Sequence, residues 1–230
     1  MSIKDQHIKR IIAVAWALGS LNKKVVYVGG AVVSLYANDT AARDVRPTDD
    51  VDLTLEITSM GRLETLRKEL TNKGFKQSAE DDVMCRFRYE GLKVDVMATR
   101  EIGWAPANPW FAPGFKDLKK VTLGDITIRT LSFSYFLATK ISAFRGRAKD
   151  PRTSHDLEDV TYLLDSRTDP AEQIINAPQE VFDFLVDEFE QMLADNKIRE
   201  AILGNLEYSI RGQRFERINE VMTEVIDAQQ

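Results

Sequence analysis

The stretch Arg46–Ile57, RPTDDVDLTLEI, decides the fold, because it places acidic residues inside a run that alternates like a β-strand. Its apolar residues point to one side, so Asp50 and Asp52 leave the opposite side together, about 7 Å apart along the strand. Carboxylates are depleted in strands because they neither pack well nor lose water cheaply. The pair therefore indicates a functional face, whereas Asp49 is expected to be a spectator.

A third carboxylate, Asp95, stands in a later strand pattern, LKVDVMA, where it alternates with valines. If the two strands are neighbours, three carboxylates converge on one face of the sheet. Their repulsion would be relieved by a hard divalent cation such as Mg²⁺. Such a cluster suits a two-metal site for phosphoryl or nucleotidyl transfer. The alternative is that these aspartates only line a solvated face.

A double glycine, Gly29-Gly30, lies between a short apolar strand, KKVVYV, and a helical pattern, AVVSLYAND. This arrangement allows backbone N–H groups and a helix N-terminus to approach a phosphate. The alternative interpretation is a tight turn with no ligand.

The composition limits how the protein could bind nucleic acids, form disulfides or cross a membrane. The 230 residues carry a net charge of −5 and a pI near 5.3, so contact with RNA or DNA would need a local basic patch or bound metal ions. The single cysteine, Cys85, excludes a disulfide within the chain and indicates the cytoplasm. It is expected to be buried, and His7 is expected on a helix surface. No apolar run is long enough to span a bilayer, and no signal peptide is expected.

The pattern of periodicities predicts two domains, residues 1–131 and 132–230. The first reads as an amphipathic helix over about residues 4–22, then strands and helices, with hairpin turns at Glu90-Gly91 and Gly124-Asp125. From Ser132 onward only helical patterns occur.

The first predicted helix of the second domain carries Lys140 and Arg147 on one face, within a locally basic run that also holds Arg145, Lys149 and Arg152. This run could contact a triphosphate or an acceptor RNA. It could equally be a solvated helix end whose cations favour the helix dipole. Asp156 lies in the first turn of the next predicted helix, where it is either a functional carboxylate or an acid that only favours the helix dipole.

The order of these motifs resembles that of the DNA polymerase β-like nucleotidyltransferases, in which a glycine-rich turn precedes an Asp-x-Asp strand and a third aspartate. The form R-x-T-x-D-V-D-L, from Arg46 to Leu53, resembles the AbiEii/AbiGii toxin branch. KISAFRGRAKDPRTSHDLEDVTYLL is similar to a later motif of that branch. The resemblance covers about residues 24–165 and implies an α+β fold, with a small mixed sheet and helices followed by a helical domain.

The resemblance also implies roles for individual residues. Asp50, Asp52 and Asp95 would bind metal, and Lys140 and Asp156 would complete the catalytic set. The nucleotide-binding residues would be Gly29, Gly30, Arg46, Thr48, Lys140 and Arg147. The chain departs from the pattern at Gly30, where many relatives have serine, and at His155, where an arginine is frequent. The second departure leaves Asp156 and Asp159 as alternatives for the motif carboxylate.

The implied reaction is Mg²⁺-dependent transfer of a nucleoside monophosphate from an NTP to an acceptor, with two metal ions. By the same resemblance, the acceptor could be tRNA and the protein a toxin that acts beside an antitoxin in growth arrest or phage defence. Two alternatives stay open. One is phosphoryl or nucleotidyl transfer to a protein or small molecule, and the other is a nucleotide-binding module without catalysis.

Overall fold

The computed structural model describes residues 1–147 and 149–229, which form two compact units. Unit 1 comprises Met1–Ser34 and Asp44–Ser132, and unit 2 comprises the short segment Leu35–Arg43 and the chain from Phe133 onward. The domain limits predicted from the sequence, 1–131 and 132–230, stay a prediction.

A six-stranded mixed sheet forms the centre of unit 1, with the strand order β3-β4-β2-β1-β6-β5. The pairs β2–β4 and β1–β6 are parallel, and the other neighbours are antiparallel. The strands are β1 (Val26–Val28), β2 (Asp50–Leu55), β3 (Arg86–Tyr89), β4 (Leu92–Ala98), β5 (Leu118–Leu123) and β6 (Ile126–Leu131). The predicted small mixed sheet is confirmed.

The helices of unit 1 are α1 (Ile3–Leu18), α2 (Met60–Asn72) and the short α3 (Phe111–Gly114), with 3₁₀ helices at Gly19–Lys23 and Gly30–Tyr36. Helix α1 ends earlier than the sequence predicts because Gly19, with φ 53°, caps it and the chain tightens into 3₁₀ geometry. The helix predicted after Gly30 is also 3₁₀. Its neighbouring valines, Val32 and Val33, disfavour the α conformation through their branched side chains.

The hairpin of β3 and β4 turns at Glu90-Gly91, as predicted, with φ of 47° and 83° at the two turn residues. Two residues with positive φ give the tight turn whose twist suits a hairpin. Its length fixes the register, so that Arg86 pairs with Asp95 across the two strands. On the other side of β4, Asp95 pairs with Asp52 of β2.

Successive side chains along each strand point to opposite faces of this sheet. One face of β2 and β4 carries buried apolar residues, and these are Val51, Leu53, Leu55, Val94, Val96 and Ala98. The aspartates between them are only partly buried. Burying apolar surface stabilises the fold by about 25 cal/mol per Å². Because the apolar side chains occupy the buried face, the acidic side chains that alternate with them lie on the opposite face.

Unit 2 is helical, as the sequence predicts. Its helices are α4 (Phe133–Arg147), α5 (His155–Asp165), α6 (Pro170–Ile175), α7 (Gln179–Ala194), α8 (Asn196–Gly204) and α9 (Arg211–Asp227). The segment Leu35–Arg43 joins them through backbone N–H groups of Asn38 and Asp39, which donate to the carbonyl of Ser166 at 3.2 and 3.1 Å. Within the described ranges, no helix is both long and apolar enough to cross a membrane.

Candidate active site

Three carboxylates meet on the open face of the sheet. One oxygen from each of Asp50, Asp52 and Asp95 lies within 4.8 Å of the other two, and we refer to these residues as the acidic cluster. The parallel pairing of β2 and β4 brings them together, with Asp52 directly opposite Asp95. The side chain of Asp50 is 31% exposed and that of Asp95 is 13% exposed. The cluster is therefore partly desolvated yet open to a ligand.

The acidic cluster fits a hard divalent cation. Carboxylate oxygens are the ligands that Mg²⁺ and Ca²⁺ prefer, and like charges this close gain stability from a cation between them. Asp49, one residue before the pair, has a side chain that is 77% exposed and lies 3.5 Å from Arg10 Nη2. It lies outside the cluster, as the sequence predicts.

An arginine that the sequence analysis did not single out lies in the acidic cluster. Arg86 donates from Nε to Asp95 Oδ1 and from Nη2 to Asp95 Oδ2, both at 2.7 Å. The same Nη2 lies 3.5 Å from Asp50 Oδ2. Since the predicted hairpin turn already sets Arg86 opposite Asp95, the register of β3 and β4 was the signal that could have identified it.

The glycine turn packs directly against the acidic cluster. Gly29 has φ +73°, and a Cβ at this position would lie 1.7 Å from Asp52 Oδ2. A Cβ at Gly30 would lie 2.9 Å from Arg46 Nη2 and 3.3 Å from Thr48 Cγ2. The two glycines thus allow the backbone to approach Asp52, Arg46 and Thr48 more closely than any side chain would permit.

A network of hydrogen bonds around Thr48, just before β2, contacts the acidic cluster. The Thr48 hydroxyl donates to Asp50 Oδ1, and the Thr48 carbonyl accepts from Arg10 Nη1. The Thr48 N–H donates to His7 Nε2 at 3.2 Å. The expectation that His7 lies on a helix surface is wrong, because this contact turns its ring toward the sheet and buries it.

Cys85 is buried, as expected. Burial, together with the negative charges of Asp95 and Asp52, raises the pKa of the Cys85 thiol to about 11. A thiol with such a pKa is largely protonated at neutral pH and is a poor nucleophile.

A second charged group lies inside unit 2, and we refer to Lys140, Arg147, Asp156 and Asp159 as the helical ion-pair cluster. Lys140 Nζ lies 2.8 Å from Asp159 Oδ2 and 3.8 Å from Asp156 Oδ1. Arg147 donates to both oxygens of Asp156 at 3.0 Å. Packing of α4 beside α5 thus places both alternative motif carboxylates next to Lys140.

Two other cations of the basic run, Arg145 and Arg152, also have acidic partners within unit 2. Arg145 Nε donates to Glu188 Oε2 at 2.7 Å. Arg152 pairs with Asp150 at 2.9 Å. These contacts agree with the interpretation that the two charges are neutralised locally.

Comparison with known proteins identifies the family. A family model described as nucleotidyl transferase AbiEii toxin, type IV toxin–antitoxin system, matches residues 14–228. A search of curated proteins finds no match.

Two solved structures are similar to this chain. An antigenic nucleotidyltransferase-like protein from Paracoccidioides brasiliensis is similar with a TM-score of 0.52 and 16% identity, over 91% of this chain and 97% of that one. JHP933 from Helicobacter pylori gives a TM-score of 0.45 and 12% identity, over 97% of this chain and 92% of that one. The first likeness confirms the predicted nucleotidyltransferase fold. The family implies a nucleotide substrate and an antitoxin that opposes the protein. The chain belongs to the AbiEii nucleotidyl transferase toxin family of type IV toxin–antitoxin systems.

Proposed function

We propose that this nucleotidyltransferase moves a nucleoside monophosphate from an NTP to tRNA in a Mg²⁺-dependent reaction that releases pyrophosphate. The observation that carries the proposal is the acidic cluster, whose three carboxylate oxygens lie within 4.8 Å of one another. The acceptor oxygen forms a bond to the α-phosphorus while the bond from that phosphorus to the bridging oxygen of pyrophosphate breaks.

The acidic cluster would hold the metal. Asp50 and Asp52, with Asp95, offer the oxygen ligands that Mg²⁺ requires. When bound, the two ions expected from the sequence would neutralise the triphosphate and make the acceptor hydroxyl easier to deprotonate.

The chain's own residues hold the nucleotide and the carboxylates in place. Thr48 orients Asp50 through its hydroxyl, so a ligand oxygen is fixed before the substrate arrives. We assign the backbone N–H groups of Gly29 and Gly30 to the triphosphate. The guanidinium of Arg46 lies close to Gly30, where an added Cβ would be 2.9 Å from Arg46 Nη2. We retain Arg46 as a phosphate contact because a guanidinium is suited to phosphate geometry.

For the helical unit, the roles rest on the family resemblance. We assign Lys140 and Arg147 to triphosphate contacts and Asp156 to the motif carboxylate. Lys140 is held between two carboxylates, which fixes the position of its ammonium group. The proposed acceptor and the NTPs are abundant in the cytoplasm, where we place the reaction.

A labelling experiment tests this function. The protein is incubated with Mg²⁺, total tRNA and each NTP in turn, labelled first at the α-phosphate and then at the γ-phosphate. We expect α-label on tRNA, and we expect the γ-label to leave as pyrophosphate, with none on tRNA or protein. Label from the γ-phosphate on protein would instead support phosphoryl transfer, and α-label on a small molecule or protein would exclude tRNA as the acceptor.

Matched variants make the experiment specific to the acidic cluster. Asp50→Asn removes a proposed metal ligand, whereas Asp49→Asn removes the exposed neighbouring charge and serves as the control. We expect transfer to be lost in the first variant and kept in the second. Equal activity in both variants would refute the metal assignment.

A further inference from the structure

Strand β3 carries an arginine into the acidic cluster. Arg86 contacts both oxygens of Asp95 at 2.7 Å and lies 3.5 Å from Asp50, with only 17% of its side chain exposed. This two-bond geometry is the strongest form of an arginine–carboxylate pair. Arg86 is therefore a fixed cation within the site where a metal ion would bind.

The charge of Arg86 is permanent. Hydrogen bonding to Asp95 raises the pKa of the guanidinium above its ordinary value, and arginine is charged at every physiological pH in any case. A divalent ion that also bound Asp95 would lie within a few ångströms of this positive charge. Two cations sharing one carboxylate repel each other, which weakens the binding of the metal ion.

We propose that Arg86 competes with divalent cations for Asp95, so that the nucleotide-free protein binds a metal ion through Asp50 and Asp52. Asp95 becomes a metal ligand only when the guanidinium releases it. The anionic triphosphate offers Arg86 an alternative partner, so nucleotide binding and completion of the metal site are coupled. Arg86 is thus a positioning residue, and its role rests on the metal binding in the proposed function.

The opposite role for Arg86 makes an opposite prediction. A residue beyond the ligands that merely orients a metal-binding carboxylate raises metal affinity, and its loss weakens binding about 10–100-fold. A competitor lowers metal affinity, and its loss strengthens binding. The direction of the change in affinity therefore separates the two roles without reference to catalysis.

The experiment measures binding of Mn²⁺ to the nucleotide-free protein by electron paramagnetic resonance. Arg86→Gln removes the guanidinium from the acidic cluster. Arg88→Gln is the matched control, because Arg88 lies on the same strand and forms an equivalent pair with Asp81 at 2.7 and 2.8 Å. We expect Arg86→Gln to bind Mn²⁺ at least about tenfold more tightly than the wild type, and Arg88→Gln to bind as the wild type does.

A double variant tests whether Asp95 is a ligand in the resting protein. Asp95→Asn alone frees Arg86 to pair with Asp50, so we expect weaker Mn²⁺ binding. In Arg86→Gln/Asp95→Asn, both members of the pair are neutral while Asp50 and Asp52 remain, so we expect affinity close to that of the wild type. This variant also removes the unpaired charge that could prevent a single variant from folding, and circular dichroism verifies the fold of each protein.

The outcomes separate this proposal from the proposed function. Unchanged or weaker Mn²⁺ binding in Arg86→Gln would overturn the role of Arg86 alone, as would a large loss of affinity in the double variant. Absence of Mn²⁺ binding in every variant would overturn the metal site and this role together. The expected Mn²⁺ pattern without nucleotide transfer would support the role of Arg86 and reject the reaction.

Discussion

The acidic cluster and the helical ion-pair cluster are both built from charged side chains, yet their charges are arranged differently. In the acidic cluster, three carboxylates lie together, and Arg86 contacts two of them. In the helical ion-pair cluster, two carboxylates meet two cations, Lys140 and Arg147. The first group brings like charges together, whereas the second pairs each acid with a cation.

Burial follows the same division. The Asp159 side chain is only 1% exposed and lies 2.8 Å from a lysine, so its charge is compensated within the protein. Asp50 and Asp95 keep contact with solvent despite their proximity. Like charges that solvent can reach favour a cation from outside, whereas paired opposite charges can be buried without one. The arrangement of the charges, more than the number of acids, therefore separates the two clusters.

The largest expected effect is on activity, at Asp52. Asp52→Ala should lower nucleotide transfer by about 10³-fold or more, because metal-based charge stabilisation contributes several kcal/mol. The melting temperature of the metal-free protein should be unchanged or higher, since one of three repelling charges is removed. Transfer assays and thermal melts without metal measure the two effects. Full activity would refute the metal site, and a large loss of stability would show that the contacts of Asp52 outweigh the repulsion among the three carboxylates.

The next largest effect is on stability, at Lys140. Lys140→Met should lower the free energy of unfolding by about 3–5 kcal/mol, because it removes the ammonium group that lies 2.8 Å from the buried carboxylate of Asp159. Arg147→Gln is the control in the same cluster, with a side chain that is 70% exposed, and should cost about 0–1 kcal/mol. Denaturant unfolding measures both values. Similar small losses in the two variants would show that the helical ion-pair cluster is not structural.

A substitution at the glycine turn should produce a smaller loss of stability. Gly29→Ala should destabilise the protein by about 2–3 kcal/mol, since a left-handed conformation costs about 1–2 kcal/mol and the new Cβ would collide with Asp52. Gly91→Ala also has positive φ but meets no atom within 4 Å, so it isolates the conformational cost. Thermal melts compare the two variants. Equal losses would show that close approach to the acidic cluster is unimportant.

The smallest effect concerns pH, at Asp39 in unit 2. The backbone N–H of Ala41 and then the guanidinium of Arg217 lower the pKa of Asp39. Its contribution to stability is therefore present above the ordinary pKa of about 4 and is lost as pH falls through the lowered value. Asp39→Asn should cost about 1 kcal/mol at pH 6, and its difference from the wild type should shrink toward pH 2.

Asp165 is the control, because its pKa is shifted in the opposite direction to that of Asp39. Burial raises the pKa of Asp165, so its contribution to stability is present at acid pH and is lost as pH rises. Asp165→Asn should therefore gain stability relative to the wild type as pH increases. Denaturant unfolding between pH 2 and pH 7 measures both trends, and parallel trends in the two variants would contradict this assignment of the shifts.

Residue order and periodicity alone predicted the three carboxylates of the acidic cluster. Strict alternation in β2 separated Asp50 and Asp52 from the apolar core, and the two-residue turn at Glu90-Gly91 implied the register of β3 with β4. Arg86 was missed because arginines in strands are usually solvated, and only its distance to Asp95 distinguishes it from Arg88. His7 was misplaced because periodicity gives the face of a helix but not what packs against it.

The sequence by itself determined the class of fold, the acidic strand and the family motif, because these depend on residue order and on periods of two and 3.6 residues. Only the tertiary structure decided which charges meet. It placed Asp95 beside Asp52, brought Arg86 between Asp95 and Asp50, and set Lys140 between Asp156 and Asp159. The physical reason is that electrostatic interactions depend on distance and burial, which the pairing of strands and the packing of helices fix.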